Sequence, residues 1–203
     1  MAQTRQDPVV AGVVLAAGGG RRLGGRPKAL LVHHGRPLVE HAARALRDGG
    51  CGPVHVVLGA AAGEVRATAG LAGYGVTVNP AWEEGMGSSL RAGLAALAGA
   101  DGPVDAALVV LVDQPGIGAR AVARVRSAYR DRMTLAAGAY GGERGHPVLF
   151  GAGRWEGVAE AAVGDQGARA YLRAHRDALT LVECGDVAQA FDIDTPGDLE
   201  RLA

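Results

Sequence analysis

The 203-residue sequence contains only two cysteines, Cys51 and Cys184, which lie far apart and form no CxxC motif. We expect free thiols in a reducing cytoplasm rather than a disulfide framework. No apolar run approaches the roughly 20 residues that cross a membrane. The polar start, residues 1–8, has no apolar core of a secretion signal. These absences predict a cytoplasmic protein with no membrane association.

The charges show no excess of either sign, because 21 Lys and Arg residues balance 21 Asp and Glu residues. A general nucleic-acid-binding surface would leave a basic footprint, so we expect no nucleic acid as a partner. Aromatic residues are also scarce, and glycine supplies 33 of the 203 positions, well above the usual share of about 7%. The Val/Leu-rich segments are nevertheless well patterned, which predicts a folded chain with a real core.

Short apolar runs alternate with amphipathic ones along the chain, as in βαβ units. The run over 106–112 is apolar on both faces, which is typical of a central strand in a parallel sheet. The pattern predicts an α/β protein with a three-layer α/β/α, Rossmann-like fold and a mainly parallel sheet, in a single domain over 1–203. Strands are predicted over 9–15, 54–58, 75–78, 106–112, 135–140, 146–150, 179–183 and 190–192, and helices over 38–47, 61–69, 88–97, 119–129, 166–175 and 195–202.

Residues 13–31, VVLAAGGGRRLGGRPKALL, begin as a buried strand and open into a loop rich in glycine and arginine. Glycines let backbone N–H groups close on anionic oxygens, and Arg22 and Lys28, with two further arginines, add positive charge. A plain turn between a strand and a helix needs only about 2–6 residues and no arginine cluster. We therefore interpret this loop as a cradle for a polyphosphate.

Neither of the two most familiar phosphate motifs is present in the cradle. Counting from Gly18 and Gly20, the third glycine of a GxGxxG fingerprint is replaced by Leu23. Gly20 and Gly25 have the spacing of a P-loop, but Arg26 follows where lysine is required. The cradle therefore belongs to neither the dinucleotide-binding nor the P-loop class.

Two aspartates are predicted at the carboxyl edge of the sheet, where ligands bind in such folds. Asp113 follows the central strand, where its burial is costly unless a cation pairs with it, and Mg²⁺ is the natural cation beside a triphosphate. In the late segment FDIDTP, strand alternation would turn Asp192 and Asp194 to the same side. We predict Asp113 and Asp192 as metal ligands. For Asp113 the alternative is capping of the following helix, whereas in the late segment Asp194 or Thr195 is expected to cap the last helix in addition to the metal role of Asp192.

Three further segments combine glycine with polar side chains. GMGSSL at 85–90 opens a predicted helix, where Ser88 or Ser89 is suited to capping the helix or to binding a ribose or base edge. RGHPVLF at 144–150 places His146 at the start of a strand, in a ligand contact or in a purely structural role. GDQGAR at 164–169 begins a helix whose N-terminus, beside Arg169, suits an anion such as a phosphate.

The cradle segment resembles the opening of the nucleotidyltransferases related to molybdenum cofactor synthesis, the MobA-related family. The resemblance lies in LAAG at 15–18, followed by RxLGG and PKxLL, and it is strongest to the cytidylyltransferase branch of that family. The usual pattern is LAAGxSxRMGxPK, so Gly20 stands in place of a small hydroxyl residue and Leu23 in place of methionine. The GMGSSL, GHP and GDQGAR segments match the same branch.

The resemblance implies a role for each of these segments. Arg22, Lys28 and Asp113 would act in catalysis, with Mg²⁺ held by Asp113 and Asp192. The acceptor would contact Gln114, His146, Asp165 and Arg169. The nucleotide would be bound by Leu15, Ala16, Ala17, Gly18, Gly19, Arg22, Lys28, Asn79, Gly85, Met86, Gly87, Ser88 and Ser89.

These parts predict an Mg²⁺-dependent nucleotidyltransferase, in which an acceptor phosphate attacks the α-phosphorus of an NTP and pyrophosphate leaves. The first half, about 9–115, would bind the NTP, and the second, about 116–203, the acceptor and the second metal ligand. The resemblance implies transfer of CMP from CTP to the phosphate of a pterin, molybdopterin or molybdenum cofactor, with a molybdoenzyme or its chaperone as a further partner. The alternatives are GTP or another phosphorylated acceptor, and an NAD(P)H-dependent oxidoreductase of heterocycles on the same scaffold.

Overall fold

The computed structural model of the protein describes residues 7–202, and its elements alternate between strand and helix through most of the chain. The strands are β1 (Val10–Ala16), β2 (Val32–His33), β3 (Arg36–Pro37), β4 (Val54–Leu58), β5 (Gly75–Val78), β6 (Ala106–Leu111), β7 (Leu135–Tyr140), β8 (Glu143–Gly151) and β9 (Leu179–Glu183). The α-helices are α1 (Leu38–Asp48), α2 (Ala62–Thr68), α3 (Met86–Ala98), α4 (Ala119–Arg126), α5 (Trp155–Ala161) and α6 (Arg169–Ala174).

A seven-stranded sheet in the order β5-β4-β1-β6-β8-β7-β9 forms the centre of the fold. Its strands run parallel except for β8, which is antiparallel to both β6 and β7. β1 is buried along its whole length between β4 and β6, which explains its uninterrupted apolar sequence. The mainly parallel α/β fold predicted from the sequence is confirmed.

Alternate residues of the central strands face two separate hydrophobic clusters. Val10 and Val14 of β1 pack with α1, α2 and α4 on one side, whereas Ala11 and Val13 pack with α3, α5 and α6 on the other. The period of two follows from the geometry of an extended strand. The helices therefore cover both faces of the sheet, which confirms the three layers.

Some predicted elements differ from the structure, and some elements were not predicted. Residues 190–192 form no strand and belong to a loop. This loop is joined to the loop after β6 by a hydrogen bond that the Ile193 N–H donates to the Asp113 carbonyl at 2.9 Å. Pro196–Leu202 is a 3₁₀-helix rather than an α-helix, and the helix predicted over 119–129 ends at Arg126. The short helix α5 and the two-residue strands β2 and β3 were not predicted, because they are too short to carry a clear hydrophobic period.

No helix within residues 7–202 combines the length and apolar character that crossing a bilayer would require. The first six residues and the last residue lie outside the described part of the chain. The prediction that no secretion signal is present falls mostly on those first residues, and so do the outer limits of the domain predicted over 1–203.

Candidate functional site

Lys28 joins two carboxylates at the carboxyl edge of the parallel strands. Its Nζ donates to Asp113 Oδ2 at 2.7 Å and also to Asp194 Oδ1. Arg22 lies beside the same group, with its Nη1 3.6 Å from Asp194 Oδ2. The fold thus brings together the three residues predicted for catalysis, although 85 residues separate Lys28 from Asp113.

The Lys28–Asp113 pair is largely enclosed, since both side chains are 18% exposed. Burial lowers the pKa of Lys28, but the carboxylates of Asp113 and Asp194 outweigh burial, and the net shift of that pKa is upward. Burial also raises the pKa of Asp113; Lys28 opposes this effect, and the nearby charge of Asp192 adds to it. The ammonium group is therefore charged at neutral pH, and this cation opposes the effect of burial on the pKa of Asp113.

The glycine loop after β1 is folded tightly on itself around Gly20. The Gly20 carbonyl accepts hydrogen bonds from the N–H groups of Leu23 and Gly25, at 2.9 and 3.1 Å. Gly20 has a φ of 62°, and a Cβ placed there would lie 1.8 Å from the Arg26 carbonyl oxygen. The hydroxyl residue that the family pattern usually has at this position therefore does not fit this conformation, and this explains why the sequence has Gly20 there.

Leu23 anchors the cradle to the protein, while the Arg22 side chain next to it is accessible. Leu23 is buried in the core on the α1 side of the sheet. The Arg22 side chain is 77% exposed. The cradle thus combines an anchored backbone with an exposed positive charge, an arrangement that suits an anion.

Trp82 forms a wall of the cradle that no motif singled out. It begins a 3₁₀ turn, Trp82–Glu84, and a Cβ added to Gly19 would lie 3.3 Å from its six-membered ring. A Cβ added to Gly59, after β4, would lie 2.6 Å from the Trp82 Cβ. The indole therefore touches the loop predicted to hold the nucleotide.

Asn79, Ser88 and Ser89 form a buried polar cluster beside the cradle. Asn79 Nδ2 donates to Ser88 Oγ at 2.8 Å and to Ser89 Oγ at 3.1 Å. The Ser88 hydroxyl has the carbonyls of Ala81 and Gly85 within reach of its one proton, at 2.8 and 2.9 Å. These side chains satisfy one another and brace the loop before α3. Their predicted contact with a nucleotide remains a prediction.

The start of α3 differs from the expected serine cap. The helix begins at Met86, and the N-cap is Gly85, which provides no side-chain hydrogen bond. Gly85 has a φ of 105°, and a Cβ added there would lie 2.5 Å from Asp165 Oδ1. A Cβ on Gly87 would lie 2.6 Å from the Ala162 carbonyl oxygen. These glycines are therefore required for close packing on the segment that precedes α6.

A cleft of about 320 Å³ opens beside the Lys28 cluster. Its floor is apolar and comes from β1, α3, β6, β8 and α6, with Leu15, Leu90, Val109, Leu111, Val148, Phe150 and Leu172. Polar side chains surround this floor, and they include Gln114, Arg144, His146, Gln166, Arg169 and Asp192. The cleft suits a flat, largely apolar ring system that carries polar or anionic groups at its edge.

His146 is the most strongly perturbed of the groups in the cleft. Burial lowers its pKa to about 4; Asp192 opposes this shift, and Arg144 and Arg169 add to it. The imidazole is therefore neutral at pH 7 and can donate or accept a hydrogen bond without carrying charge.

Asp113, Asp192 and Gln114 offer oxygen donors that suit a divalent cation. The Asp113 carboxylate is largely enclosed, and the charge of Asp192 is close enough to raise its pKa. Gln114 Nε2 donates to Asp192 Oδ1 at 2.7 Å, and Gln114 Oε1 is buried with no hydrogen-bond partner. Carboxylate and amide oxygens are the donors that Mg²⁺ and Mn²⁺ prefer. The set fits a hard cation.

This donor set is incomplete without a ligand. Within residues 7–202, no group of three or more His, Cys, Asp or Glu side chains is arranged to hold a metal ion. Mg²⁺ commonly binds through one or two carboxylates and completes its shell with waters and substrate phosphates. Asp113, Asp192 and the unpartnered Gln114 amide oxygen match this mode of Mg²⁺ coordination.

The predicted acceptor residues are only partly brought together. Gln114, His146 and Arg169 line the cleft. Asp165 lies in the 3₁₀ turn Gly164–Gln166, is exposed, and is not among the lining residues. The side chain that sequence reasoning missed is Asp194, which was considered only as a helix cap but contacts Lys28 and Arg22.

Residues 12–179 match the family model of the MobA-like NTP transferase domain. A relative named Nicotine blue oxidoreductase, from Paenarthrobacter nicotinovorans, is 43% identical over 202 residues, which cover 96% of this chain and 97% of that protein. A solved homologue of Mycobacterium tuberculosis Rv0371c, from Mycobacterium sp. strain JC1, is 34% identical with a TM-score of 0.82, over 95% of this chain and 94% of the other. Rv0371c of M. tuberculosis in complex with manganese is 26% identical with a TM-score of 0.77, over 96% and 97% of the two chains.

Proposed function

Because the chain belongs to the MobA-like NTP transferase domain family and is therefore a nucleotidyltransferase, we propose that it transfers CMP from CTP to the phosphate of a pterin-type acceptor, with release of pyrophosphate. The observation that carries this proposal is the meeting of Lys28 and Asp113 at 2.7 Å, between the glycine cradle and the apolar cleft. This arrangement puts a cation for the triphosphate beside a carboxylate for a metal.

In the proposed reaction the protein positions two anions and neutralises their charge. The backbone of the cradle, with Arg22 and Lys28, binds the triphosphate. Asp113 and Asp192, with the Gln114 amide oxygen, would hold Mg²⁺, which supplies positive charge at the α-phosphate when bound. The choice of Mg²⁺ is supported by the oxygen donors, and the manganese complex of a relative supports a divalent ion.

The acceptor is proposed to lie in the cleft, with its ring on the apolar floor and its phosphate toward Lys28. His146 stays neutral and offers a hydrogen bond to the ring, while Arg144 and Arg169 face its anionic edge. The preference for CTP rests on the resemblance of LAAG and Pro27-Lys28 to the cytidylyl branch. The division at about residue 115, the molybdoenzyme partner and the cytoplasmic location stay predictions.

A second candidate function follows from the 43% identity to a protein named an oxidoreductase of nicotine blue. An apolar cleft with a neutral histidine also suits reduction of a flat heterocycle, with a nicotinamide as the hydride donor. The absence of a GxGxxG fingerprint in the cradle counts against tight dinucleotide binding.

Ligand-induced thermal stabilisation separates the two candidates. CTP, GTP, ATP and UTP are compared with NADH and NADPH, with and without Mg²⁺, on the wild type and on Asp113→Asn. At a ligand concentration of about 100 Kd, stabilisation of about 2.7 kcal/mol raises the Tm by about 5–10 °C. We expect CTP with Mg²⁺ to give the largest shift and Asp113→Asn to lose the Mg²⁺-dependent part.

Intrinsic fluorescence provides a second measure of binding. The chain has two tryptophans, and Trp155, whose Nε1 donates to the Phe150 carbonyl at 3.0 Å, packs against the hydrophobic cluster on the α3 side of the sheet. Trp155→Phe leaves Trp82 as a single reporter, and its emission should change when a nucleotide fills the cradle. A larger shift with GTP would reject the base preference alone. A response to NADH or NADPH with none to any NTP would reject nucleotidyl transfer in favour of the reductase.

A further inference from the structure

A second pocket, of about 360 Å³, lies on the α1 side of the sheet. It is lined by α1, by the β2–β3 hairpin and by the segment that runs from the end of β6 to the start of α4, and we call it the α1 pocket. Lys28 and Asp113 do not line it. Among the described residues, Gln114 is the one that it shares with the cleft. The proposed reaction gives the rest of this pocket no role.

One face of α1 and a tight turn bring four basic side chains to the α1 pocket. His41 and Arg44 are three positions apart on α1, so they lie on the same face of the helix. The hairpin turn at His34 and Gly35 has a positive φ at both residues, 46° and 76°, as a type I′ turn requires. This turn brings His34 and Arg36 to the same pocket.

The positive charge in the α1 pocket lacks a carboxylate partner. Within the described chain, Asp48 is the one acidic residue of its lining, and Arg47 Nε already donates to Asp48 Oδ1 at 3.0 Å. No ion pair formed within residues 7–202 includes Arg36 or Arg44. Two guanidinium groups are therefore available to an anion that enters the pocket.

His41 experiences the same excess of positive charge. Burial lowers its pKa; the hydrogen bond between its Nε2 and the His33 carbonyl opposes this shift, and the charges of neighbouring basic side chains, including Arg36, add to it. An anion in the pocket would offset this repulsion between like charges.

The rest of the α1 pocket is apolar, apart from the start of α4. Its apolar wall consists of Leu38, Ala42, Ala45, Val112, Pro115 and Ile117. Gly118, which precedes α4 and supplies no side-chain cap, and Ala119, the first residue of α4, also line the pocket. The first N–H groups of an α-helix lack partners within the helix and favour a nearby anion. The pocket thus combines an apolar wall with groups that attract negative charge.

We propose that the α1 pocket binds a small organic phosphate, whose phosphate group contacts Arg36 and Arg44 and whose apolar body lies against the apolar wall. Guanidinium groups match the geometry of phosphate oxygens, which favours a phosphate over a smaller anion. An inorganic anion would leave the apolar wall uncovered, and an uncharged ring would leave both arginines without a partner. The proposal does not rest on nucleotidyl transfer, because the pocket and the cradle share no residue.

Isothermal titration calorimetry with phenyl phosphate tests the proposal, at pH 7.5 and at constant ionic strength because salt screens exposed charges. Inorganic phosphate and benzyl alcohol each represent one half of this ligand. We expect a Kd of about 1 mM or tighter for phenyl phosphate, and binding at least about tenfold weaker for the other two. Arg36→Gln and Arg44→Gln should each weaken phenyl phosphate binding about five- to tenfold and keep the wild-type Tm, because both residues are exposed.

Two control variants distinguish the α1 pocket from other sites. Arg173→Gln removes an exposed arginine from α6, which packs on the opposite face of the sheet, and Arg169→Gln alters the cleft. Both should bind phenyl phosphate as the wild type does. A loss of binding in Arg169→Gln with none in Arg36→Gln and Arg44→Gln would place the ligand in the cleft and overturn the proposal.

Two results with the wild type would also overturn it. One is equal affinity for phenyl phosphate and inorganic phosphate, because the apolar wall would then contribute nothing. The other is a Kd for phenyl phosphate weaker than about 10 mM. Neither result bears on CTP binding in the cradle, so the proposed function is tested separately.

Discussion

Replacing Lys28 with methionine removes the cation that holds two carboxylates together. Truncating one partner of a fully buried pair costs about 3–5 kcal/mol, and an exposed pair contributes about 0–1 kcal/mol. At 18% exposure for both Lys28 and Asp113, the pair lies between these limits. We therefore expect Lys28→Met to lower the free energy of unfolding by about 2 kcal/mol at pH 7.5.

The loss should depend on pH through Asp113. Burial already raises the pKa of this carboxyl above its ordinary 3.8, and removing Lys28 raises it further. A carboxyl with a raised folded-state pKa favours the folded state when protonated, so the variant recovers stability as the pH falls through that raised pKa. The raised pKa of Lys28 keeps its ammonium charged throughout this range, so the wild-type pair is lost only through Asp113. The deficit at pH 4.5 should therefore be smaller than at pH 7.5.

Urea unfolding at both pH values measures the two deficits, with Arg26→Met as a control at a neighbouring exposed cation. The control should change the free energy of unfolding by less than about 0.5 kcal/mol. The double variant Lys28→Met, Asp113→Asn should be more stable than Lys28→Met alone at pH 7.5, because the largely enclosed Asp113 charge is then no longer left without its cation. A Lys28→Met deficit equal to that of the control, or unchanged between the two pH values, would refute this account of the site.

Two further predictions concern the cradle and the cleft. Gly20→Ser should destabilise the protein and weaken CTP binding, because φ at Gly20 is 62° and the new Cβ would meet the Arg26 carbonyl oxygen. Gly24→Ala isolates the cost of the backbone strain, because φ there is 68° and the space for a Cβ is open. Equal free energies of unfolding for the two variants would contradict the role of the clash. Because the pKa of His146 is lowered to about 4, the wild type should lose up to about 3 kcal/mol more stability than His146→Phe as the pH falls from 6.5 to 4. Identical pH profiles of urea unfolding for the two proteins would contradict a neutral imidazole at this position.

Much of the fold was readable because a parallel sheet imposes a simple pattern. β1 and β6 are apolar on both faces because helices cover both sides of the sheet, and these continuous apolar runs predicted buried strands. The 3₁₀-helix at Pro196–Leu202 and the loop at 190–192 were misread because propensity does not reveal where backbone hydrogen bonds go. Ile193 donates to the Asp113 carbonyl in another loop, a contact that no local pattern encodes.

The site was predictable where motifs are local and less so where distant loops meet. Arg22, Lys28 and Asp113 follow strands whose ends share one edge, so their meeting followed from topology. In FDIDTP, by contrast, two aspartates stand two positions apart, and sequence alone did not reveal that Asp194 faces Lys28 while Asp192 faces Gln114. The capping role expected of Asp194 or Thr195 belongs in part to Asp198, three positions further along.

The orientation of β8, which is antiparallel to its neighbours in the seven-stranded sheet, has a consequence for how this fold can change. Because β8 runs against its neighbours, it begins at the edge where β1 and β6 end, and it carries His146 to the cleft from its own start. The hairpin turn at Gly141 and Gly142 lies just upstream of that start. Changing the length or the side chains of this turn would reshape the wall of the cleft proposed for the acceptor and leave the glycine loop after β1 in place. The cleft can thus change its ligand preference independently of the proposed triphosphate site.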